Sequence, residues 1–312
     1  MELRQLRYVI ALAETLHFGR AAERMYITQS AFSQQIAKLE RELGTPLFDR
    51  STHHVRLTDA GSALVERARL ILSEVDSVVT DVRSFGEGLA GTLRVGLFAE
   101  GAGELTPVIV SRFRRLHPGV TVTFAEVPMV SQDDPLMGGV VDVAFLRLPC
   151  TSPRLEATAL FQEPRMVAVS SLSPYAEAGQ VLAEELLEER FVKPVDAVPR
   201  QWASFWSCGD LRGGLPERTG ESVQSVLEAL AAVAHSGGID TVPASFARML
   251  SYPGVVFVPL LGAAYSTAAV VRRRNDSRPL VSAFVTTAEA VARESLHVVP
   301  GAVPPAADEL SG

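Results

Sequence analysis

Cysteine is nearly missing from this chain, with Cys150 and Cys208 the only two among 312 residues. So few thiols exclude a disulfide scaffold, and we expect both to be free in a reducing compartment. No basic stretch followed by a short apolar run stands at Met1, so a secretory signal is not expected and a cytoplasmic location is. Long apolar runs are lacking too. The uncharged stretch Val255 to Val271 is broken by Pro259, Gly262, Ser266 and Thr267. It falls short of the ~20 apolar residues of a membrane-spanning helix and reads as two strands and a turn. Lysine occurs only as Lys38 and Lys193, every other basic residue being Arg. Catalytic motifs are absent as well: there is no Gly-x-Ser-x-Gly elbow, no Walker loop, no Cys/His metal spacing and no His-Glu-x-x-His. His53-His54 and His235-Ser236 are adjacent pairs with no orienting partner. We therefore expect no enzyme, no cofactor and no metal, although strand-helix domains host much chemistry and fold alone does not fix function.

Apolar residues make up 47% of the chain, enough at this length to build the cores of two or three domains. The net charge of -7 is unevenly placed. Residues 1–60 carry eight basic residues (Arg4, Arg7, Arg20, Arg24, Lys38, Arg41, Arg50, Arg56) against seven acidic ones, and the remainder is acidic. A nearly neutral head on an acidic body suits a polyanionic partner only if its cations share one face.

The head reads as helices. Leu6, Val9, Ile10, Ala13 and Leu16 recur at helical spacing, and after His17, Phe18 and Gly19 a short second helix resumes at Arg20 to Met25. Thr28 is a suitable N-cap for a third helix ending at Gly44, with Ala31, Phe32, Ile36, Leu39 and Leu43 inward. That leaves Gln29, Ser30, Ser33, Gln34, Gln35 and Lys38 outward, nearly all uncharged and hydrogen-bonding. Arg50 to Leu57 offers a short ribbon, a wing. Thr58 and Asp59 then open a long helix to about Phe85, in which Leu64, Ala68, Ile71, Val75, Val78, Val82 and Phe85 alternate at spacings of four and three. Such a stripe serves either a coiled-coil dimer seam or packing against the chain's own domain.

Beyond Gly86, Gly88 and Gly91 strands alternate with helices. Strands are expected at Leu93 to Phe98, Val120 to Val127, Val141 to Leu148, Arg165 to Ser170, Val255 to Val258 and Ala268 to Arg272. Helices are expected from Thr106 to Leu116, Ser222 to His235, Ser245 to Leu250 and Pro279 to Arg293, with an element at Leu182 to Glu189 and at most a short helix at Pro135 to Gly139. This alternation predicts an open, mostly parallel sheet with ligands at the carboxyl ends of its strands.

The run Ala21-Ala22-Glu23-Arg24-Met25, Thr28-Gln29-Ser30-Ala31-Phe32-Ser33, Ile36, Leu39-Glu40, Leu43-Gly44, Pro46-Leu47-Phe48, Arg50, Leu57-Thr58, Ala60-Gly61 resembles the LysR-type transcriptional regulators, and Gly91-Thr92-Leu93-Arg94-Val95-Gly96 resembles the start of their effector domain. The resemblance implies an α plus α/β architecture in parts: a winged helix-turn-helix DNA-binding domain at 1–58, a linker and dimerisation helix at 59–90, a two-subdomain, periplasmic-binding-protein-like effector domain at 91–298, and a disordered tail at 299–312. Subdomain I would comprise about 91–162 and 266–298, and subdomain II about 163–265. It also implies a homodimer or tetramer on double-stranded promoter DNA, a small-molecule effector and RNA polymerase as a further partner. The third helix would enter the major groove, where Gln pairs with adenine and Ser or Thr with several base edges. Gln29, Ser33, Gln34 and Gln35 are the expected base readers, Thr28 and Ser30 flank them, Lys38 and Arg50 would meet phosphates, and His53 stands at the wing tip. Ser30 is usually Pro and Gln34 often Arg in the family, so this head reads with fewer cations. The imidazoles at the wing tip make binding pH-sensitive in expectation.

For the effector, the resemblance points to Glu100 and Gly101 after the first effector-domain strand, Met129, Arg147, Trp206, Ser236 and Asp240. Arg147 has two readings, a clamp for a ligand carboxylate or a structural ion pair with Glu100. Glu100 and Asp240 add acids where the family favours small polar or apolar residues, which hints at an effector bearing an amine or hydroxyls. Phe205 and Trp206 either wall the pocket or belong to plain core. A redox switch at Cys208 is a third function class, disfavoured by the absence of a basic neighbour in sequence.

Overall fold

The computed structural model describes residues 1–50, 55–87 and 89–306, and for residues 50, 73–74 and 76–87 it describes the backbone. His53 lies outside the described residues, as do the side chains of Arg50, Val78, Val82 and Phe85. Residues 1–86 form one compact unit, and most of the chain from Glu87 onward forms a second.

The first unit begins with α1 (Leu3–Thr15), α2 (Phe18–Arg24) and α3 (Gln29–Leu43). Leu16 ends α1 in the left-handed region, and the His17 ring then accepts the Arg20 N–H at 3.3 Å, so the break after α1 is also the cap of α2. Thr28 caps α3 as expected, its hydroxyl accepting the Ala31 N–H, and Gly44 closes it at φ +70°. Phe32, Ile36 and Leu39 of α3 pack on Tyr8, Val9 and Leu12 of α1 and on Ala21 and Ala22 of α2, with Phe32 stacked 5.2 Å from Tyr8. Leu43, expected inside, is 41% exposed, since the helix outruns its partners there.

Strands β1 (Phe48–Arg50) and β2 (Val55–Leu57) pair antiparallel as the wing's ribbon. The Glu40 carboxylate of α3 accepts the N–H groups of Leu47 and Phe48, at 2.9 and 3.2 Å, and so fastens the ribbon to that helix. Helix α4 (Asp59–Glu87) starts under Thr58, whose hydroxyl accepts the Gly61 N–H and donates to the Pro46 carbonyl. Gly61 is required, because a Cβ there would collide with the Leu47 carbonyl oxygen. The α4 stripe does not run free from its start. Leu64 packs on the head's core and Ala68 is fully buried within the chain. Those two residues are therefore spent inside the protomer, and the exposed part of the stripe begins at Ile71, 38% accessible.

The second unit holds two sheets. Elements β3 (Ala90–Leu97), α5 (Leu105–Leu116), β4 (Gly119–Glu126), α6 (Asp134–Met137), β5 (Val143–Arg147) and β6 (Leu155–Glu163) come first. Then follow β7 (Arg165–Ser170), β8 (Val181–Leu182), β9 (Phe191–Pro194), α7 (Arg200–Trp206), β10 (Thr219–Val223), α8 (Val226–Ser236), β11 (Asp240–Pro243), α9 (Ala244–Met249) and β12 (Val255–Leu261). Strand β13 (Ser266–Arg273) and α10 (Pro279–Ser295) return to the first sheet.

That sheet has the order β4-β3-β5-β13-β6 and the second β11-β7-β12-β8, with a β10-β9 pair linked to the latter through Phe191 and Ile239. Neither is mostly parallel. β3 runs parallel to β4 and β5, whereas β13 is antiparallel to β5 and β6, and β7 is antiparallel to β11 and β12. The cause is connectivity. β6 passes through Pro164 directly into β7 of the other sheet, and β12 returns through 262–265 into β13, so no helical crossover forces these strands into parallel register.

In the first lobe Ile109 and Phe113 of α5 and Val281, Phe284 and Val291 of α10 cover Val95, Phe145 and Val270. In the second, Val167, Val169, Leu186, Phe191 and Val258 form the core. Val255 to Val271 is two strands and a turn, as the sequence implies. The expected helix from Ser222 instead begins at Val226, because 219–223 pair with β9 and the Ser225 hydroxyl accepts the Glu228 N–H. Leu182 to Glu189 is a strand end and a 3-10 turn. The expected disorder from 299 is corrected over the described residues: Val299 is buried, and Val303 exchanges two backbone hydrogen bonds with Gln162, at 2.8 and 2.9 Å. Among the described residues, no helix is long and apolar enough to cross a membrane.

Candidate functional sites

Of the expected readers on α3, Gln29, Ser30, Gln34 and Lys38 are exposed, with Thr28 at the cap; Ser33 and Gln35 are half-buried at the strip's edges. Gln29, Ser33 and the turn above them, and likewise Ser30, Gln34 and Lys38, follow at four-residue steps, so they share one helix face. The Thr28 hydroxyl is 3.2 Å from that of Ser30, besides capping the helix. Lys38 is within 3.9 Å of Glu42, a solvated i,i+4 pair that leaves its ammonium available to a phosphate. The strip is therefore hydrogen-bonding rather than cationic. Tyr26 lies beside it and escaped the sequence reading. It sits in the turn between α2 and α3 at φ +55° and is 95% exposed. A large aromatic held in the left-handed region and packed on nothing is the signal: folding gains nothing from it.

The second unit encloses a cavity of about 740 Å³, in the size range of small-molecule sites. Phe98, Ala99 and Glu100 after β3, Met129 after β4 and Arg147 at the end of β5 form one wall. Residues 191–196, Trp202 and Trp206 of α7, 240–243 and Phe246 form the other. Of the expected effector residues, Glu100, Met129, Arg147, Trp206 and Asp240 converge here. Two do not. Gly101 points its backbone into the turn under Leu97 and Thr106 at φ +64°, a structural glycine. Ser236 is exposed at the end of α8, lining a separate shallow pocket with Tyr175 and His235. Trp202, Phe98 and Phe246 were not anticipated; Trp202 lies in the stretch of weakest resemblance, and its signal was the aromatic spacing Trp202, Phe205, Trp206. Phe205 is not among the lining residues. Its ring packs edge-on against Trp206, 5.1 Å away, and lies under the Arg165 guanidinium.

Arg147 proves to be a structural ion pair, and a larger one than Glu100 alone would make. Its Nη2 donates to Glu100 at 2.6 Å and to the Ser245 hydroxyl at 2.9 Å and is ion-paired with Glu163 at 2.8 Å, all buried. Glu163, at the point where the chain leaves the first sheet, also accepts the N–H and hydroxyl of Ser245 on α9 at 2.7 and 2.6 Å. Gly103 allows this approach: at φ +54°, a Cβ there would stand 2.8 Å from that of Ser245. The network thus clasps the two lobes beneath the cavity. Burial pushes the Glu100 carboxyl up, against the pull of Arg147.

Asp240 stands on the cavity wall with one hydrogen bond, from the N–H of Thr241 at 2.8 Å, and its carboxyl is pushed up to about 7 by desolvation. Arg165 behind it donates to the Phe205 carbonyl at 2.8 Å and contacts the Cys208 sulfur at 2.9 Å. Cys208 therefore has a basic neighbour in space that sequence adjacency did not show. It is nonetheless fully buried, and burial pushes its thiol up, against Arg165. A raised, buried thiol is the opposite of a reactive one.

A winged helix-turn-helix head followed by a two-lobed α/β domain around a ligand-sized cavity defines a ligand-responsive, DNA-binding transcription regulator. Residues 3–62 match the bacterial regulatory helix-turn-helix proteins of the lysR family, and residues 86–293 match the LysR substrate binding domain. The chain belongs to the LysR family, and it is a regulator rather than an enzyme. BenM of Acinetobacter baylyi, an HTH-type transcriptional regulator, is 30% identical over 305 residues, 96% of this chain and 99% of its own. YnfL of Escherichia coli K12, an uncharacterized HTH-type transcriptional regulator, is 39% identical over 194 residues, 62% of this chain and 65% of its own. Among solved structures, full-length CbnR complexed with its target DNA aligns with a TM-score of 0.70 and 26% identity, over 93% of this chain and 99% of that one.

Proposed function

We propose that the chain recognises an operator through Gln29, Ser33, Gln34 and Gln35 of α3, with Thr28, Ser30 and Lys38 steadying the helix on the backbone and Arg50 and His53 serving the wing. A small-molecule effector occupies the 740 Å³ cavity. The observation that carries this reading is a ligand-sized cavity walled by both lobes, in the same chain as an exposed and nearly uncharged reading strip. The division into subdomains at about 91–162 with 266–298, and 163–265, follows the two sheets, whose only strand-to-strand passages are at Pro164 and 262–265. In this reading the protein works in the cytoplasm as a homodimer or tetramer held by α4 from Ile71 onward, and it acts on promoter activity through RNA polymerase. Effector binding biases the lobes toward one arrangement and so couples the cavity to the DNA.

Genomic footprinting of the purified protein, with and without candidate metabolites, tests this. Discrete protected sites, changed by one compound class, are expected; protection without sequence preference refutes the operator reading.

A further inference from the structure

Most of the charges within the cavity wall are already assigned. Arg147, the cation that a ligand carboxylate would seek, is held by two carboxylates, Glu100 and Glu163. Lys193 is held by Asp196 at 2.7 Å. Arg165 is committed to a carbonyl and a sulfur behind the wall. Three charged lining residues make no ion pair among the described residues, Arg200, Glu217 and Asp240; the first two are exposed, whereas Asp240 is part of the desolvated wall, its only hydrogen-bond partner being the next residue's N–H. An unpaired carboxylate in a desolvated wall is expensive and gains most from a cation that arrives with the ligand. The surroundings suit such a cation. Asp240 and Trp206 line the same cavity, where the Thr241 hydroxyl donates to the Trp206 carbonyl, and Trp202 packs on Trp206 at 5.7 Å and on Phe98 at 5.8 Å. Ring faces attract ammonium groups, and the Trp206 ring already carries the Arg165 guanidinium at 5.7 Å; among the described residues neither indole N–H has a hydrogen-bond partner.

Resting on the cavity as the effector site, we propose that this protein responds to a compound with a protonated amine on an aromatic or apolar body, the ammonium seated on Asp240 beside Trp206 and the body against Trp202 and Phe98.

Titration calorimetry on the full-length protein at pH 8 tests it with 2-phenylethylamine and tryptamine, set against phenylacetate, indole-3-acetate and 2-phenylethanol. The amines are expected to bind at least about tenfold more tightly than the acid or alcohol of the same body. Asp240→Asn should remove that tenfold and leave the alcohol unchanged. Asn keeps the acceptor for the Thr241 N–H, and a cooperative melt no lower than the parent's confirms the fold. Acids binding as well as amines, an Asp240→Asn protein with full amine affinity, or no heat from either amine at millimolar concentration each overturn the proposal. If the amines bind as expected but leave the operator footprint unchanged, the cavity's chemistry stands and its role as effector site falls. If another compound shifts the footprint while no amine binds, the effector site stands and the amine proposal falls.

Discussion

Replacing Glu163 by Gln probes the clasp under the cavity. Glu163 is inaccessible to solvent; it accepts the Ser245 N–H, the Ser245 hydroxyl and, at 3.5 Å, Arg248, and it is ion-paired with Arg147 at 2.8 Å. Gln has the same shape but one acceptor oxygen. Turned to keep the Ser245 N–H, it presents an NH2 group to the Arg147 guanidinium, donor facing donor. Removing one partner of a buried ion pair costs about 3–5 kcal/mol. Arg147 keeps Glu100 and the Ser245 hydroxyl, which puts the expectation at the low end, about 3 kcal/mol. For a unit of this size that lowers the melting temperature by about 6–12 °C. Thermal and urea unfolding of the full chain measure it, with Glu294→Gln, which breaks the solvated pair with Arg112, as a control expected to change nothing resolvable. Glu100→Gln should be the milder of the two buried changes, because burial already biases Glu100 toward its protonated form. A loss below about 1 kcal/mol for Glu163→Gln refutes the clasp. A gain shows that crowding two carboxylates on one guanidinium outweighs their pairing.

Asp240 gives a pH signature of the opposite sign from an ordinary salt bridge. Its folded carboxyl titrates at about 7, against about 4 in the unfolded chain, so the native state holds the extra proton between those values. Stability falls as pH rises through that window, and Asp240→Asn should stabilise the protein at pH 8, by of order 1–4 kcal/mol, with the gain vanishing toward pH 4. Chemical unfolding at several pH values checks it, and a pH-independent gain contradicts the assignment. Gly61→Ala should destabilise the head by about 1–3 kcal/mol through the Leu47 carbonyl and weaken operator binding, read by melting and gel shift. Gln34→Ala should weaken specific binding far more than non-specific, whereas Arg50→Ala should lower the salt slope of binding by about one. Equal losses on all sequences for Gln34→Ala would remove it from the readers. Ile71→Glu should shift the sedimentation profile toward monomer, while Leu64→Ala should act on head stability instead; dimers unaffected by Ile71→Glu would take the seam elsewhere.

The head was legible because its signals are local. A Thr cap, a Gly stop and a 3.6-residue stripe each act within a few residues, so α3 falls where Thr28 and Gly44 place it. The same stripe logic overreached at Leu64 and Ala68, since periodicity reports an apolar face but not which neighbour covers it. In the second unit strands such as Val143–Arg147 stood out as apolar runs, but β6, with Glu156, Thr158 and Gln162 interleaved, did not. The mixed sheets were illegible because strand direction is decided by the two inter-lobe passages, not by any segment's own composition. Half of the cavity was readable through the family's spacing. Glu163, Ser245 and Trp202 were not, because their importance arises from meeting residues 40 to 150 positions away, and Cys208 gained a basic neighbour the same way.

The carboxylate of Glu40, which ties the start of the wing's ribbon to α3, has a consequence for signalling. A single side chain makes the reading helix and the base of the wing one lever, so no message arriving from the cavity can retune the grip of one against the other. In the proposed dimer, what an effector would alter is where, and how far from its twin, an unchanging hand is set down on the double helix.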